Sequence, residues 1–128
     1  METQVAHWLR MAEYDTGVAE SLYESGHWIY VVFMCHLGTE KLLKAHVVRA
    51  TGQRPPKIHS LERLAALAGL NDVPEGYREF LAHLTAHQSG TRYSGDDMEF
   101  GNYTQEIAKS YLDRTKEVHQ WLRAKLQS

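Results

Sequence analysis

Apolar side chains recur along this chain at three- and four-residue intervals, the spacing that lines one face of an α-helix. Val5, Trp8, Leu9, Ala12, Thr16, Ala19 and Tyr23 trace one such face, and Ser25-Gly26 ends it, which predicts a first helix over residues 3–24. A second helix is predicted over 27–51. Ile29, Val32, Phe33, His36, Leu37, Glu40, Leu43 and Val47 share one side of it, and Trp28, Val31, Cys35, Leu42 and His46 form a second apolar stripe. A helix apolar on two sides has to be covered on two sides. It is therefore either the central helix of a bundle or half of a dimer interface.

Residues 52–59, with Pro55-Pro56, read as a connecting loop. Ser60 is placed to cap a short third helix with Leu61, Leu64, Ala65 and Leu67 inward, closed by Gly69. Pro74 suits the first turn of a fourth helix over 74–88, with Tyr77, Phe80, Leu81 and Leu84 as its stripe. Residues 89–101 form a polar, glycine-containing loop. A final helix over 103–126 opens with Asn102 and Gln105 in a capping-box arrangement, and its core stripe is Ile107, Ala108, Tyr111, Thr115, Val118 and Leu122. No segment reads as a strand. The expected fold is all-α: an antiparallel up-and-down bundle of three long and two short helices, four-helix-bundle-like, with residues 1–128 as one domain.

Composition narrows the functional classes. Hydrophobic content of 43% and charged content of 23% are ordinary globular values, which argues against disorder. The net charge of −2 does not by itself demand nucleic acid, but the charges are unevenly placed. Lys41, Lys44, Arg49, Arg54, Lys57 and Arg63 stand against a single acid, Glu62, within residues 41–63. Residues 71–100 carry Asp72, Glu75, Glu79, Asp96, Asp97 and Glu99 against Arg78 and Arg92. The lone Cys35 excludes an intrachain disulfide and a thiolate metal cluster. The opening Met1-Glu2-Thr3-Gln4 has neither a basic start nor an apolar run, and no stretch is long and apolar enough for a bilayer, so the expected location is the cytoplasm, without membrane contact.

Four short motifs, in order, resemble the HEPN domain family. They are Ala12-Glu13-Tyr14-Asp15 with Ala19, then Gly38-Thr39-Glu40-Lys41-Leu42-Leu43-Lys44-Ala45, then His59-Ser60-Leu61, then Arg92-Tyr93, with Trp121 in the last helix fitting as well. It is the ordered set, spanning nearly the whole chain, that carries the signal. The resemblance implies a helical bundle that commonly forms a homodimer and is often encoded beside a small nucleotidyltransferase, in arrangements like toxin–antitoxin pairs. It implies contact with nucleotide or nucleic acid, and in some branches of the family a metal-independent ribonuclease. No cofactor is implied.

The ribonuclease branch carries Arg, four to six residues, then His, and Arg114-Thr-Lys-Glu-Val-His119 matches that form. Metal-free RNA cleavage needs a base for the 2′-hydroxyl proton and a cation for the developing phosphorane charge, and His and Arg are the right types. Residues five apart on a continuous helix nevertheless point about 140° apart. With the stripe centred on Tyr111, Thr115 and Leu122, the two fall on opposite shoulders of the core. Glu40 lies on an apolar face with His36 one turn before and Lys44 one turn after, and Asp15 lies between Trp8, Ala19 and Leu22. Carboxylates in such places need partners. The expected arrangement is a polar cluster of Asp15, Glu40, Arg92 and Tyr93, serving either as an ion-paired staple for the 89–101 loop or as a ligand site. The basic segment from Lys41 to Arg63 is a candidate for tracking phosphates, or else a solvated helix end favoured by the helix dipole. His83 and His87, and likewise His36 and Glu40, are spaced i, i+4, but no third ligand is placed and no metal site is expected. No phosphate-binding glycine loop, nucleophile elbow or HExxH motif is present in the sequence. Three readings follow: a binding partner of a nucleotidyltransferase, a ribonuclease using Arg114 and His119, and a structural dimerisation module.

Overall fold

The computed structural model describes residues 2–92 and 102–127, with side chains given as far as residue 87 in the first span. Its regular structure is α1 (Glu2–Glu24), α2 (Trp28–Thr51), α3 (Leu61–Leu67), α4 (Glu75–Arg92) and α5 (Gln105–Gln127), and no strand occurs among the described residues. The fold is an all-helical bundle, as the periodicity predicts. Of the two settings open to the doubly apolar second helix, the structure gives the first. α2 packs against α1, α3, α4 and α5, and Val31, Val32, Cys35, Leu42, Leu43, Ala45 and Val48 on its different sides are all buried. α1 and α5 both lie on α2 and touch each other only lightly.

The helix ends follow from local chemistry. At the end of α1, the His27 N–H reaches the Leu22 carbonyl at 2.9 Å and the Gly26 N–H reaches Tyr23 at 3.1 Å. At the end of α3, Leu70 and Gly69 make the same pair of bonds to Ala65 and Ala66. Both are Schellman closures, and the residue that turns out of the helix has φ of 81° at Gly26 and 73° at Gly69, where an L side chain would be strained. Ser60 caps α3 by accepting from the Arg63 N–H.

Four expectations are corrected. α4 continues to Arg92, so the first residues of the supposed 89–101 loop are helical. α5 is capped by Thr104, whose hydroxyl accepts from the Ile107 N–H at 3.2 Å, so the helix opens two residues later than an Asn102 cap would place it, and the Gln105 side chain donates to the Tyr23 hydroxyl. The core face of α5 is Ala108, Leu112, Thr115, Val118, His119, Leu122 and Leu126; Ala108, Thr115, Val118 and Leu122 of the predicted stripe are buried, but Tyr111 is half-buried and Ile107 is exposed. Leu67 is also exposed, because α3 and the turn after it bury Leu61, Leu64, Ala65 and Ala68, a run at i, i+3, i+4 and i+7 that leaves position 67 off the face. None of the described helices is long and apolar enough to cross a membrane.

Candidate functional site

The polar part of the molecule is built on one stretch of α2. Glu40 is 3% exposed, inside the bundle, and its carboxylate is enclosed by cations and donors. Lys44, one turn on, donates from Nζ to Oε2 at 2.9 Å, and His59, from the loop before α3, donates from Nδ1 to Oε1 at 3.0 Å. The fully buried His36 holds Nδ1 at 3.8 Å from the same Oε1, and its Nε2–H donates to the His59 carbonyl at 3.0 Å. Burial pushes the Glu40 pKa upward, but the bonds from Lys44 and His59 and the charge of Lys44 outweigh it, and the carboxyl is held below its ordinary value. Lys44 is itself buried, and its Nζ lies 5.6 Å from the centre of the Trp8 ring on α1, a cation–π contact. The 52–60 loop is thus tied to α2 at two points through His59.

Asp15 takes a different partner. Lys41 reaches it from α2 at 2.9 Å, and this pair is more open to solvent than the Glu40 pair. The two acids of the expected cluster therefore belong to separate ion pairs, each with a lysine of the Glu40–Ala45 string. Arg92 lies in the last turn of α4, but its side chain, like the whole of Tyr93, falls outside the described residues.

Two residues before Glu40, α1, α2 and α5 interlock. A Cβ on Gly38 would sit 2.9 Å from Thr16 Oγ1, 3.5 Å from the Ala12 carbonyl and 3.6 Å from His119 Cε1. Only a glycine lets α1 come this close while an imidazole from α5 covers the same spot. Next to it, the Thr39 hydroxyl donates to the Cys35 carbonyl at 2.8 Å and meets His119 Nε2 at 2.9 Å. The single proton of that hydroxyl is committed to the carbonyl, so His119 Nε2 is the donor and Nδ1 carries the lone pair. Burial, assisted by the charge of Arg123, pushes the His119 pKa down to about 4, which keeps the ring neutral. Cys35 is as inert as its burial suggests, its thiol pushed up to about 12.

Arg114 and His119 do not meet. His119 is buried against Thr39, not on the shoulder of the core as expected, whereas Arg114 faces α4. Its guanidinium lies 5.5 Å from the centre of the Phe80 ring and donates to the Gly76 carbonyl at 3.3 Å. Within the chain the pair is directed at two different helices. The basic segment is also divided. Lys41 and Lys44 hold Asp15 and Glu40, Arg49 donates to the Leu126 carbonyl, and Arg54, Lys57 and Arg63 are exposed. His87 bonds from Nδ1 to the Tyr103 hydroxyl at 2.6 Å, and no group of three or more metal-ligating side chains occurs among the described residues. Sequence reasoning misses His59 and Thr39 as partners. His59 is visible as a polar residue just ahead of a helix cap, but nothing in its spacing aims it at Glu40.

A bundle whose central helix carries internally paired charges, with a short capped helix docked by a histidine loop, defines a class as well as a geometry. The HEPN domain family matches residues 5–125, and the chain belongs to that family. Two solved structures share the fold at 20% identity. TT1696 from Thermus thermophilus superposes with a TM-score of 0.80, covering 95% of this chain and 98% of that one. ST0689, described as an archaeal HEPN homologue, gives 0.75 over 95% and 97%. No curated protein matches the chain.

Proposed function

We propose that this HEPN domain is a binding module, the partner of a small nucleotidyltransferase, that contacts the nucleotide or nucleic-acid substrate of that enzyme and dimerises through its exposed helix faces. The observation that carries the reading is the separation of Arg114 from His119. The imidazole is held through Nε2 against Thr39 on α2, and the guanidinium is turned toward Phe80 and Gly76 on α4. A base and a cation aimed at different helices cannot act on one phosphate within the chain. Exposed Arg54, Lys57 and Arg63 remain available for phosphate contact, with counterion release as the source of affinity.

The test is co-expression with a small nucleotidyltransferase encoded beside this chain. A stable complex that alters nucleotide transfer supports the proposal. Its affinity for nucleic acid should fall steeply with salt, and the triple variant Arg54→Gln, Lys57→Gln, Arg63→Gln should flatten that dependence. RNA cleavage by the purified chain, lost in Arg114→Ala with helicity intact, would replace the proposal with the ribonuclease reading.

A further inference from the structure

Because α1 and α5 rest on α2 and barely on each other, a groove of about 420 Å³ opens between them. That volume lies within the range of small-molecule sites. Matched stripes form its walls. α1 contributes Glu13, Gly17 and Glu20, and α5 contributes Arg123, His119 and Lys116 in antiparallel register. Arg123 bridges to Glu13 at 3.4 Å across one end, and Lys116 to Glu20 at 3.5 Å across the other. The middle is left wide, since a Cβ on Gly17 would meet nothing within 4 Å.

At the middle of the α5 wall stands His119, only 5% exposed. Its Nε2–H is committed to Thr39, and its Nδ1 makes no hydrogen bond among the described residues. The ring therefore brings a bare acceptor to a groove with acids on one wall and cations on the other. The four rim charges sum to zero. A phosphate-rich ligand would gain Lys116 and Arg123 only by lying against Glu13 and Glu20, whereas a ligand with one charge of each sign can open one of the two rim bridges and pair with both of its members. The two cations are seven residues apart, about 10 Å along the helix, the span of about three residues of extended chain.

We propose that the groove between α1 and α5 binds a small zwitterion, a free α-amino acid or a short peptide. Its ammonium donates to His119 Nδ1 and to a Glu13 or Glu20 carboxylate, and its carboxylate lies on Arg123 or Lys116. This site is independent of any nucleotidyltransferase partnership. The low pKa of His119 keeps the acceptor unprotonated across neutral pH.

The test uses the full chain with ¹⁵N-labelled imidazoles, titrated at millimolar concentration with the twenty free amino acids and with diglycine. At least one should move the His119 ring resonances, and its N-acetyl and C-amide derivatives should not. Gly17→Phe should weaken that binding about tenfold or more without lowering the thermal midpoint, because the substitution fills open space and removes a helix-interior glycine. If Gly17→Phe disturbs the fold, the double variant Lys116→Gln, Arg123→Gln at the groove rim should show the same loss. The proposal fails if none of these ligands moves the ring, if the blocked derivatives bind equally well, or if inorganic phosphate or adenosine monophosphate moves it instead.

Discussion

Replacing His119 by phenylalanine removes one titrating group and keeps an aromatic ring in the hollow beside Gly38 and Thr39. In the folded chain the His119 pKa lies at about 4, against an ordinary value of 6.5. The unfolded chain therefore takes up a proton at this side chain below pH 6.5 while the folded chain does not. Stability associated with the neutral ring is complete above pH 6.5 and is lost as pH falls from there toward 4. At about 1.4 kcal/mol per unit, this amounts to about 3 kcal/mol over the window. His46 adds to the same trend, because burial lowers its pKa while it donates to the Leu122 carbonyl at 2.8 Å. The assay is urea unfolding at a series of pH values from 7 down to 4. His119→Phe should be less stable than the wild type at pH 7 by about 1 kcal/mol, the hydrogen bond to Thr39. Its stability should fall less steeply, by about one proton's worth of slope between pH 6 and 4.5. An unchanged slope would refute both the burial of this imidazole and its neutrality.

Gly38→Ala should destabilise by about 1–2 kcal/mol despite the gain in helix propensity, because the new methyl meets Thr16 Oγ1 at 2.9 Å. Adding Thr16→Ala should recover most of the loss, a coupling read directly from a double-mutant cycle in chemical denaturation. Glu40→Ala should cost about 3–5 kcal/mol by leaving Lys44 buried without its carboxylate, whereas Asp15→Ala, at a more open pair, should cost about 1 kcal/mol or less; thermal midpoints of the two variants separate these cases. The folded-state pKa of Glu40 is depressed, so its contribution is present above the unfolded carboxyl's pKa and is lost as pH falls through the folded value; the acid limb of the wild-type stability curve should be shallower in Glu40→Gln. Leu67→Gln should change stability by no more than about 0.5 kcal/mol, as befits a side chain 48% exposed.

Helix existence is legible in the sequence because each apolar stripe is long and each stop carries its own chemistry, as at Gly26, Gly69 and Ser60. The two apolar sides of α2 narrow it to a central helix or a dimer face, and the packing of α1, α3, α4 and α5 around it decides for the first. The phase of α5 is not legible to the residue. Tyr111 and Leu112 are both suitable for a core face, and the structure buries Leu112 while Tyr111 lies half-buried against Phe80 and His87 of α4. The place of His119 is not legible either. An imidazole beside a core stripe reads as a surface residue until Gly38 and Thr39 are seen to leave a hollow with a hydroxyl at its edge. A glycine and a threonine in mid-helix, where neither favours helix, are the available signal. Glu40 stands out as a carboxylate in need of a partner, and its need is met from closer by than Arg92. Lys44 sits one turn on, and its Nζ is buried beside the Trp8 ring, a placement that charge counting does not reveal. Nor can the pairing of Asp15 with Lys41 be read from sequence, because it depends on the crossing of α1 over α2 at Gly38.

Since all other helices lean on α2, the molecule has no half that can stand by itself. Cutting the backbone between α1 and α2, or between α2 and α3, would strip an apolar flank from the same central rod and leave it open to water. The amides of its middle turns should accordingly exchange with solvent only when the entire chain opens, while the outermost turns of α1 and α5 peel and reseal on their own.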